Sequence, residues 1–327
     1  MRAIEVSRFG GPDVLIPTQL PDPVAGPDEL VVAVAASDVM FVDTMIRSGR
    51  GVALFVQRPP YVPGNGVGGE VVSVGEGVDD DWLGRRVIAH TGGPGGAGGY
   101  AERARVNLAD TVAVPDGLDL LDAVAVLHDG PTALRVSAVT DVRPGEWVLV
   151  LGAAGGMGIL LIQLLRQGGA RTIGAVSGKA KVDVVIEAGA DVVVDYSRPD
   201  WTSEVRNATE GRGPHVVLDG VGGQLGRAAY GITAGGGRFS AHGAPSGSFT
   251  SVDPADADER GITVSGIQDL QGEPDQRAEL AHRILSDVLA GQIIPLIGQT
   301  FPLHSASLAH QAMESRDAIA KTLLTIS

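Results

Sequence analysis

The residues whose types and spacing best suit chemistry lie between positions 146 and 196. Five apolar residues, Trp147–Leu151, run straight into Gly152-Ala-Ala-Gly-Gly-Met-Gly158. An apolar run of that kind is a strand buried on both faces. The glycines then turn the chain into an apolar helix over 157–167, stopped by Gly168-Gly169. A tight glycine turn lets backbone approach an anion, and the unbonded N–H groups of a helix start can hold it. Gly155, Gly156, Met157 and Gly158 are therefore candidate holders of a dinucleotide phosphate. The spacing departs from strict G-x-G-x-x-G, because Ala153 stands at the first glycine position and Gly155 and Gly158 at the second and third. A Gly-rich turn with no ligand is the competing reading.

The next strand, 171–176, is followed by Ser177-Gly-Lys-Ala-Lys181. An NAD site places Asp or Glu near this strand end to bond the ribose 2′-hydroxyl. No acid lies between Arg171 and Val182. A hydroxyl and lysines suit a 2′-phosphate instead, which needs donors and positive charge. Ser177 and Lys181 thus favour NADPH over NADH, against the alternative of a solvated loop.

The elements that must position these groups alternate from residue 120 onward. Candidate strands fall at 147–151, 171–176, 192–195, 215–219, 237–241 and 262–267, with helices between most of them. That is βαβ alternation, which predicts a doubly wound parallel sheet. Before it, short strands at 2–6, 30–35, 69–74 and 86–90, rich in Val, Gly and Pro, predict a β-rich, barrel-like domain. Residues 91–99 form a glycine-rich loop. A helix at 274–290 and a tail with strands and a helix near 305–315 follow the sheet, and the tail is expected to return to the first domain. The predicted boundaries are 1–122 with 293–327, and 123–292.

Composition limits the partners. With 327 residues about two domains are expected, and 44% hydrophobic residues suit a globular protein with sizeable cores. The net charge of −14 argues against nucleic acid and anionic membrane as partners. Cysteine is absent, so disulfides and Cys-ligated metals are excluded. No signal peptide or span-length apolar run is visible, and a cytoplasmic setting is expected.

Several stretches in order resemble the zeta-crystallin-like quinone oxidoreductases of the medium-chain dehydrogenase/reductase superfamily. They include Arg8-Phe-Gly-Gly-Pro-Asp-Val-Leu15, Val42-Asp-Thr-Met-Ile-Arg-Ser-Gly49, Gly99-Tyr-Ala-Glu102 and Gly130-Pro-Thr-Ala133. Gly152-Ala-Ala-Gly-Gly-Met-Gly158, Gly189-Ala-Asp191, Asp195-Tyr196, Leu218-Asp-Gly-Val-Gly-Gly223 and Gly235-Gly-Gly-Arg-Phe239 continue the series. The resemblance implies a Rossmann domain plus a GroES-like catalytic domain made of both chain ends. It implies NADPH in a cleft between them, hydride transfer to a quinone or α,β-unsaturated carbonyl, and a homodimer. Carried over by position, Ser177, Lys181 and Tyr196 would hold the adenosine and its 2′-phosphate, Thr132 would lie near the nicotinamide, and the strand end with Phe239, Ser240 and His242 would pass beside it. Zinc members carry a Cys and a Gly-His-Glu; here the run is Pro63-Gly-Asn-Gly-Val-Gly-Gly69, so a metal-free reductase is expected.

The pocket departs from that pattern. Where relatives read Val-Asn-x-x-Asp-Thr-Tyr, this chain has Met40 and Met45 for the Asn and Tyr. Two adaptable apolar side chains would suit a flat hydrophobic acceptor and would remove donors to a developing oxyanion; they could equally be core filler. His128, His242 and His90 are candidate proton donors, although a lone histidine is more often structural. Asp43 is expected to be structural at a helix start, Arg47 and Arg50 solvated, and Asp38 has no assigned role. The expected activity is therefore an NADPH-dependent reductase of an electron-poor small molecule. An enoyl-thioester or specialised-metabolite enone reductase, or an NADPH-binding protein with little turnover, are the alternatives.

Overall fold

Short strands punctuated by Gly and Pro build one unit of the chain, and strand–helix alternation builds the other. The computed structural model describes residues 1–50, 57–91, 98–270 and 274–327, so most of the glycine-rich run at 91–99 lies outside the described residues. The two units are Met1–His128 with Pro274–Ser327, and Asp129–Glu273.

In the first unit β1 (Arg2–Val6) pairs antiparallel with β2 (Leu15–Gln19). There follow β3 (Glu29–Val39), α1 (Phe41–Arg47), β4 (Gly66–Val74), β5 (Arg86–His90), β6 (Arg103–Asn107), β7 (Thr111–Ala113) and α2 (Leu120–Val126). The second unit holds α3 (Asp129–Val139), β8 (Trp147–Leu151), α4 (Gly156–Gln167), β9 (Arg171–Val176), α5 (Val182–Glu187), β10 (Val192–Asp195) and α6 (Trp201–Ala208). It continues with β11 (Val216–Asp219), α7 (Gly223–Ile232), β12 (Arg238–Ala241), α8 (Pro254–Arg260) and β13 (Thr263–Gly266). The chain then returns to the first unit through α9 (Pro274–Leu289), β14 (Ile297–Pro302), α10 (Ala306–Glu314) and β15 (Lys321–Thr325).

The first unit's main sheet runs β14-β15-β3-β4-β5-β7, with β6 also on β3. Only the β14–β15 pair is parallel among the described strands of that sheet. Alternate residues of β3, β4 and β5, among them Leu30, Val32, Val67, Val71 and Val87, fill one core. Ile4, Val6, Val39, Tyr100, Leu303 and Leu324 fill another. β3 runs four residues past the expected end at 35. Ala36, Ser37 and Asp38 are poor strand formers by pattern, yet they pair with Thr325, Leu324 and Leu323 from the far end of the chain. Tertiary pairing overrides local preference there.

The second unit's sheet is parallel throughout, in the order β10-β9-β8-β11-β12-β13. The order reverses at β8 and β11, so their carboxyl ends form a topological switch point, where open α/β sheets leave a crevice for ligands. β8 is buried along its whole length, as its unbroken apolar run requires. Its neighbours in the core include Ile173, Val194, Trp201, Val217 and Phe239. The observed units differ from the expected boundaries: α2 and α9 pack on each other within the first unit rather than flanking the second sheet. No described helix is long and apolar enough to cross a membrane.

Candidate functional site

At the switch point the glycine turn takes a definite shape. The N–H groups of Gly152 and Ala153 both donate to the Ala175 carbonyl, at 3.1 Å each, and Gly155 N–H closes the bend onto Gly152 O at 2.9 Å. The residue with left-handed backbone is Gly152, at φ +72°, one position before the expected first glycine. Ala153 is tolerated at that position because the bend has moved; its side chain is fully buried. Gly158 is obligatory for another reason. A Cβ there would stand 2.4 Å from Gly152 O and 2.7 Å from the Ala153 backbone, so α4 could not seat against the turn. Gly156, Met157 and Gly158 occupy the first turn of α4, where N–H groups have no intrahelical carbonyl to bond. That cradle fits a pyrophosphate.

One strand over, Lys181 Nζ donates to Ser177 Oγ at 3.1 Å. Between them Gly178, at φ +88°, donates its N–H to Asp195 Oδ1 at 2.9 Å, and Tyr196 N–H donates to Val176 O at 2.9 Å. Ser177, Lys181 and Tyr196 are thereby gathered at the carboxyl edge of β9 and β10, all half-buried. Oδ1 of Asp195 accepts the Gly178 N–H and the Ser197 N–H and hydroxyl. A hydroxyl and an ammonium side by side, with Asp195 Oδ1 held by backbone and Ser197, fit a phosphate better than a ribose diol.

Asp219, given no role by sequence, organises the other lip of the switch point. Fully buried at the end of β11, it accepts the N–H groups of Val221 at 3.0 Å and Gly222 at 2.8 Å and the Thr250 hydroxyl at 2.6 Å. Its backbone carbonyl accepts from His242 and Gly243 N–H. Burial raises its pKa, and those donors oppose the rise. Asp followed by two Gly-containing steps at a strand end was the available signal, since such a side chain bonds its own backbone two residues on.

At the strand end 239–242 the side chains differ in burial. The Phe239 ring is completely buried, edge-on to Tyr230 at 5.4 Å, and the Ser240 side chain is equally buried, so neither side chain is presented to a ligand. Their alternation into the core follows from the sheet's two covered faces. His242 is half-buried, with Nδ1 3.1 Å from Ser240 Oγ and its pKa brought down to about 4 by burial. Thr132, on α3, is half-buried.

The first unit holds the remaining candidates. Met40 caps α1 and Met45 lies within it, both half-buried. Asp43 is structural, as expected: its carboxylate accepts Met40 N–H at 2.8 Å and the Asn65 amide at 2.6 Å. Burial raises its pKa to about 7 in spite of the Met40 and Asn65 donors, and the Asp38 charge adds to the rise. Arg47 is not solvated. Its guanidinium is fully buried and donates to His310 Nδ1 at 3.2 Å, to the Gly10 carbonyl and to Glu314. His310 Nε2 in turn lies 3.0 Å from the Tyr100 hydroxyl. The residues that draw Arg47 inward are 263 and 267 positions away, which no local reading detects.

His128 and His90 meet Asp38. His128 Nδ1 lies 2.9 Å from Asp38 Oδ2, and its Nε2 lies 3.0 Å from His90 Nδ1. Lys321 Nζ reaches the same Asp38 oxygen at 3.0 Å.

Two family models match the chain: the alcohol dehydrogenase GroES-like domain over residues 26–116 and the zinc-binding dehydrogenase over 156–285. A 2-haloacrylate reductase from Burkholderia is 30% identical, with 98% of each chain covered. A quinone oxidoreductase from Pseudomonas aeruginosa is also 30% identical, over 99% of each chain. A mycobacterial protein solved in complex with NADPH superposes with a TM-score of 0.90 at 32% identity, covering 99% of this chain and all of that one. The chain belongs to the quinone oxidoreductase-like medium-chain dehydrogenases/reductases. Its second unit is the Rossmann domain of that superfamily and its first the GroES-like domain.

Within this family some members carry zinc, and the donors here do not fit one. Asn65 stands in the run where zinc members carry Gly-His-Glu, and its amide is committed to Asp43. The chain has no cysteine, and no group of three or more His, Asp or Glu among the described residues is disposed around a common point.

Proposed function

We propose that this quinone oxidoreductase-like chain binds NADPH on its Rossmann unit and reduces an electron-poor small molecule, a quinone or an activated alkene conjugated to a carbonyl. The observation that carries the cofactor choice is the Lys181–Ser177 pair at the edge of β9, with Asp195 turned to the backbone. When bound, NADPH supplies the hydride. The chain's own part is to hold the pyrophosphate on the N–H groups of 156–158, to hold the 2′-phosphate on Ser177, Lys181 and Tyr196, and to keep water from the acceptor.

Without a fitting metal donor set, the acceptor must itself stabilise the charge that hydride brings, which quinones and enones do and simple ketones do poorly. Half-buried Met40 and Met45 offer such an acceptor polarisable apolar surface. Both named relatives support this chemistry, one as a quinone reductase and one as a reductase of a halogen-activated alkene acid. The second supports the alkene arm specifically, and enoyl thioesters and specialised-metabolite enones belong to it.

The same reading gives a homodimer joined through β13, the edge strand of the Rossmann sheet, where Val264 is 39% exposed. It also gives a cytoplasmic setting. The test is loss of NADPH absorbance across a panel of quinones, enones, haloacrylates and enoyl thioesters. Turnover of quinones or enones supports the reading. Tight NADPH binding with no oxidation by any acceptor replaces it with a binding protein.

A further inference from the structure

Reduction by hydride leaves a proton still to be delivered, and the GroES-like unit contains a chain of groups suited to deliver it. Resting on the reductase reading above, we propose that Asp38, His128 and His90 form a proton relay that stores one proton beside a buried carboxylate and hands it to the reduced acceptor.

Asp38 is fully buried within a sheet, on β3, where a hydrophobic residue would serve stability as well or better. Its Oδ2 takes both His128 Nδ1 at 2.9 Å and Lys321 Nζ at 3.0 Å, while Oδ1 accepts nothing from the described residues. The second imidazole, His90 at the end of β5, lies edge-on to His128 with ring centres 4.5 Å apart and planes at 84°. That geometry aligns His128 Nε2 with His90 Nδ1 at 3.0 Å. β4 leaves room for the pair because residue 66 is glycine; a Cβ there would stand 2.6 Å from His128 Cε1 and 2.7 Å from Asp38 Oδ1.

The proton count follows from these contacts. His128 Nδ1 faces a carboxylate and carries hydrogen in every state. The mobile proton is the one between His128 Nε2 and His90 Nδ1. Loaded, it sits on His128, an imidazolium against the Asp38 carboxylate, and neutral His90 carries its hydrogen on Nε2. Delivery breaks the His90 Nε2–H bond toward the enolate or hydroquinone oxyanion. The shared proton then moves from His128 to His90 Nδ1, leaving both rings neutral. Acceptor, hydride from NADPH and this one proton give the two-electron-reduced product and NADP⁺. Water reloads the relay at His90 Nε2, which bonds no described residue.

Charges around the chain favour this division of labour. Burial alone would raise Asp38, but the charges of His128 and Lys321 hold it below the usual carboxylate range. Burial, aided by His128, lowers His90 to about 3, so His90 passes protons without storing one; Arg277 acts in the same direction and Asp38 against it. Asp43 is the other acid coupled to Asp38 and His128. The remaining histidines lack this backing. Among the described residues, His242 bonds Ser240, and His310 faces the Arg47 cation.

The test combines histidine side-chain nitrogen NMR of the wild-type protein with kinetics of His128→Gln and His90→Gln. In the wild type a through-bond coupling should join His128 Nε2 to His90 Nδ1, and the His128 Nδ1–H should be strongly deshielded. Each variant should lose about 100-fold in kcat, lose the alkaline fall in kcat that marks an unloaded relay, and keep its NADPH Kd within about twofold. Imidazole in the buffer should restore part of the His90→Gln loss. Because His128→Gln also removes one of the two partners of buried Asp38, leaving Lys321, the wild-type NMR and His90→Gln decide the matter if that variant does not fold. Absence of the coupling between the two rings overturns the relay, as does His90→Gln with unchanged kcat and pH profile. A wild type that oxidises no NADPH with any acceptor defeats the reductase reading instead.

Discussion

The glycine turn of the Rossmann unit and the polar network of the GroES-like unit are built on opposite plans. In the first, the glycine turn and the Ser177–Lys181 pair lie within about thirty residues, from Gly152 to Lys181, and adjacent strand ends bring them together. In the second, Asp38 meets His128 and Lys321, and Arg47 meets His310 and Glu314, across most of the chain. The turn is made by the backbone, and its side chains are chosen for what they leave out. The network is made by charged side chains withdrawn from water, each stable only while its partners stay in place. Local failure is therefore expected to abolish binding in one region and to shift titration in the other.

The largest effect should come from Gly158→Val. Overpacking alone costs about 1–3 kcal/mol, and the added atoms here meet backbone, which cannot rotate away. We expect a thermal midpoint several degrees lower and no measurable NADPH binding in the folded fraction, read by calorimetry. A variant that binds NADPH normally would show that α4 is not fixed by this contact.

Asp219→Ala should come next. It strands two buried N–H groups and the Thr250 hydroxyl, a loss of about 2–3 kcal/mol. Asp219→Asn, which keeps one acceptor oxygen, should recover part of it. Equal destabilisation by both variants in urea would remove the cap from the account.

Both calculations concern features that sequence pattern reaches unevenly. The strands from β8 to β13 and the Gly–Lys run were legible because periodicity, glycine spacing and the missing acid after β9 are local signals. The positive-φ residue of the turn, Gly152, is not marked by the motif spacing, because a motif records spacing and not dihedral angle. The ends of β3 and β4, with Asp38 and Gly66 on them, were missed because Ala, Ser, Asp and Gly are poor strand formers until β15 and β5 supply pairing. Arg47 reads as solvated from its own stretch because the groups that draw it inward, Glu314 and His310, are close only in the fold. Phe239 and Ser240 stand on a strand whose end points at the site while their side chains serve the core.

A smaller effect, confined to the network, concerns pH. Asp43 titrates at about 7 in the folded chain, above its ordinary value of 3.8. The folded state therefore keeps a proton that the unfolded state has lost between those values, and stability falls as pH rises through that window. Between pH 6 and 7 the change is about 1 kcal/mol. Denaturation midpoints of the wild type should show this slope, and Asp43→Asn should flatten it. A wild-type slope of opposite sign would mean that Asp43 stays ionised when folded.

The most direct test of the whole reading is a calorimetric titration of wild type and Lys181→Glu with NADPH and with NADH. The account predicts wild-type binding at least about tenfold tighter for NADPH, and a loss of about 100-fold for NADPH alone in the variant, as removal of a charge-assisted phosphate contact implies. Absence of NADPH binding by folded wild-type protein, or equal losses for both nucleotides, would contradict it.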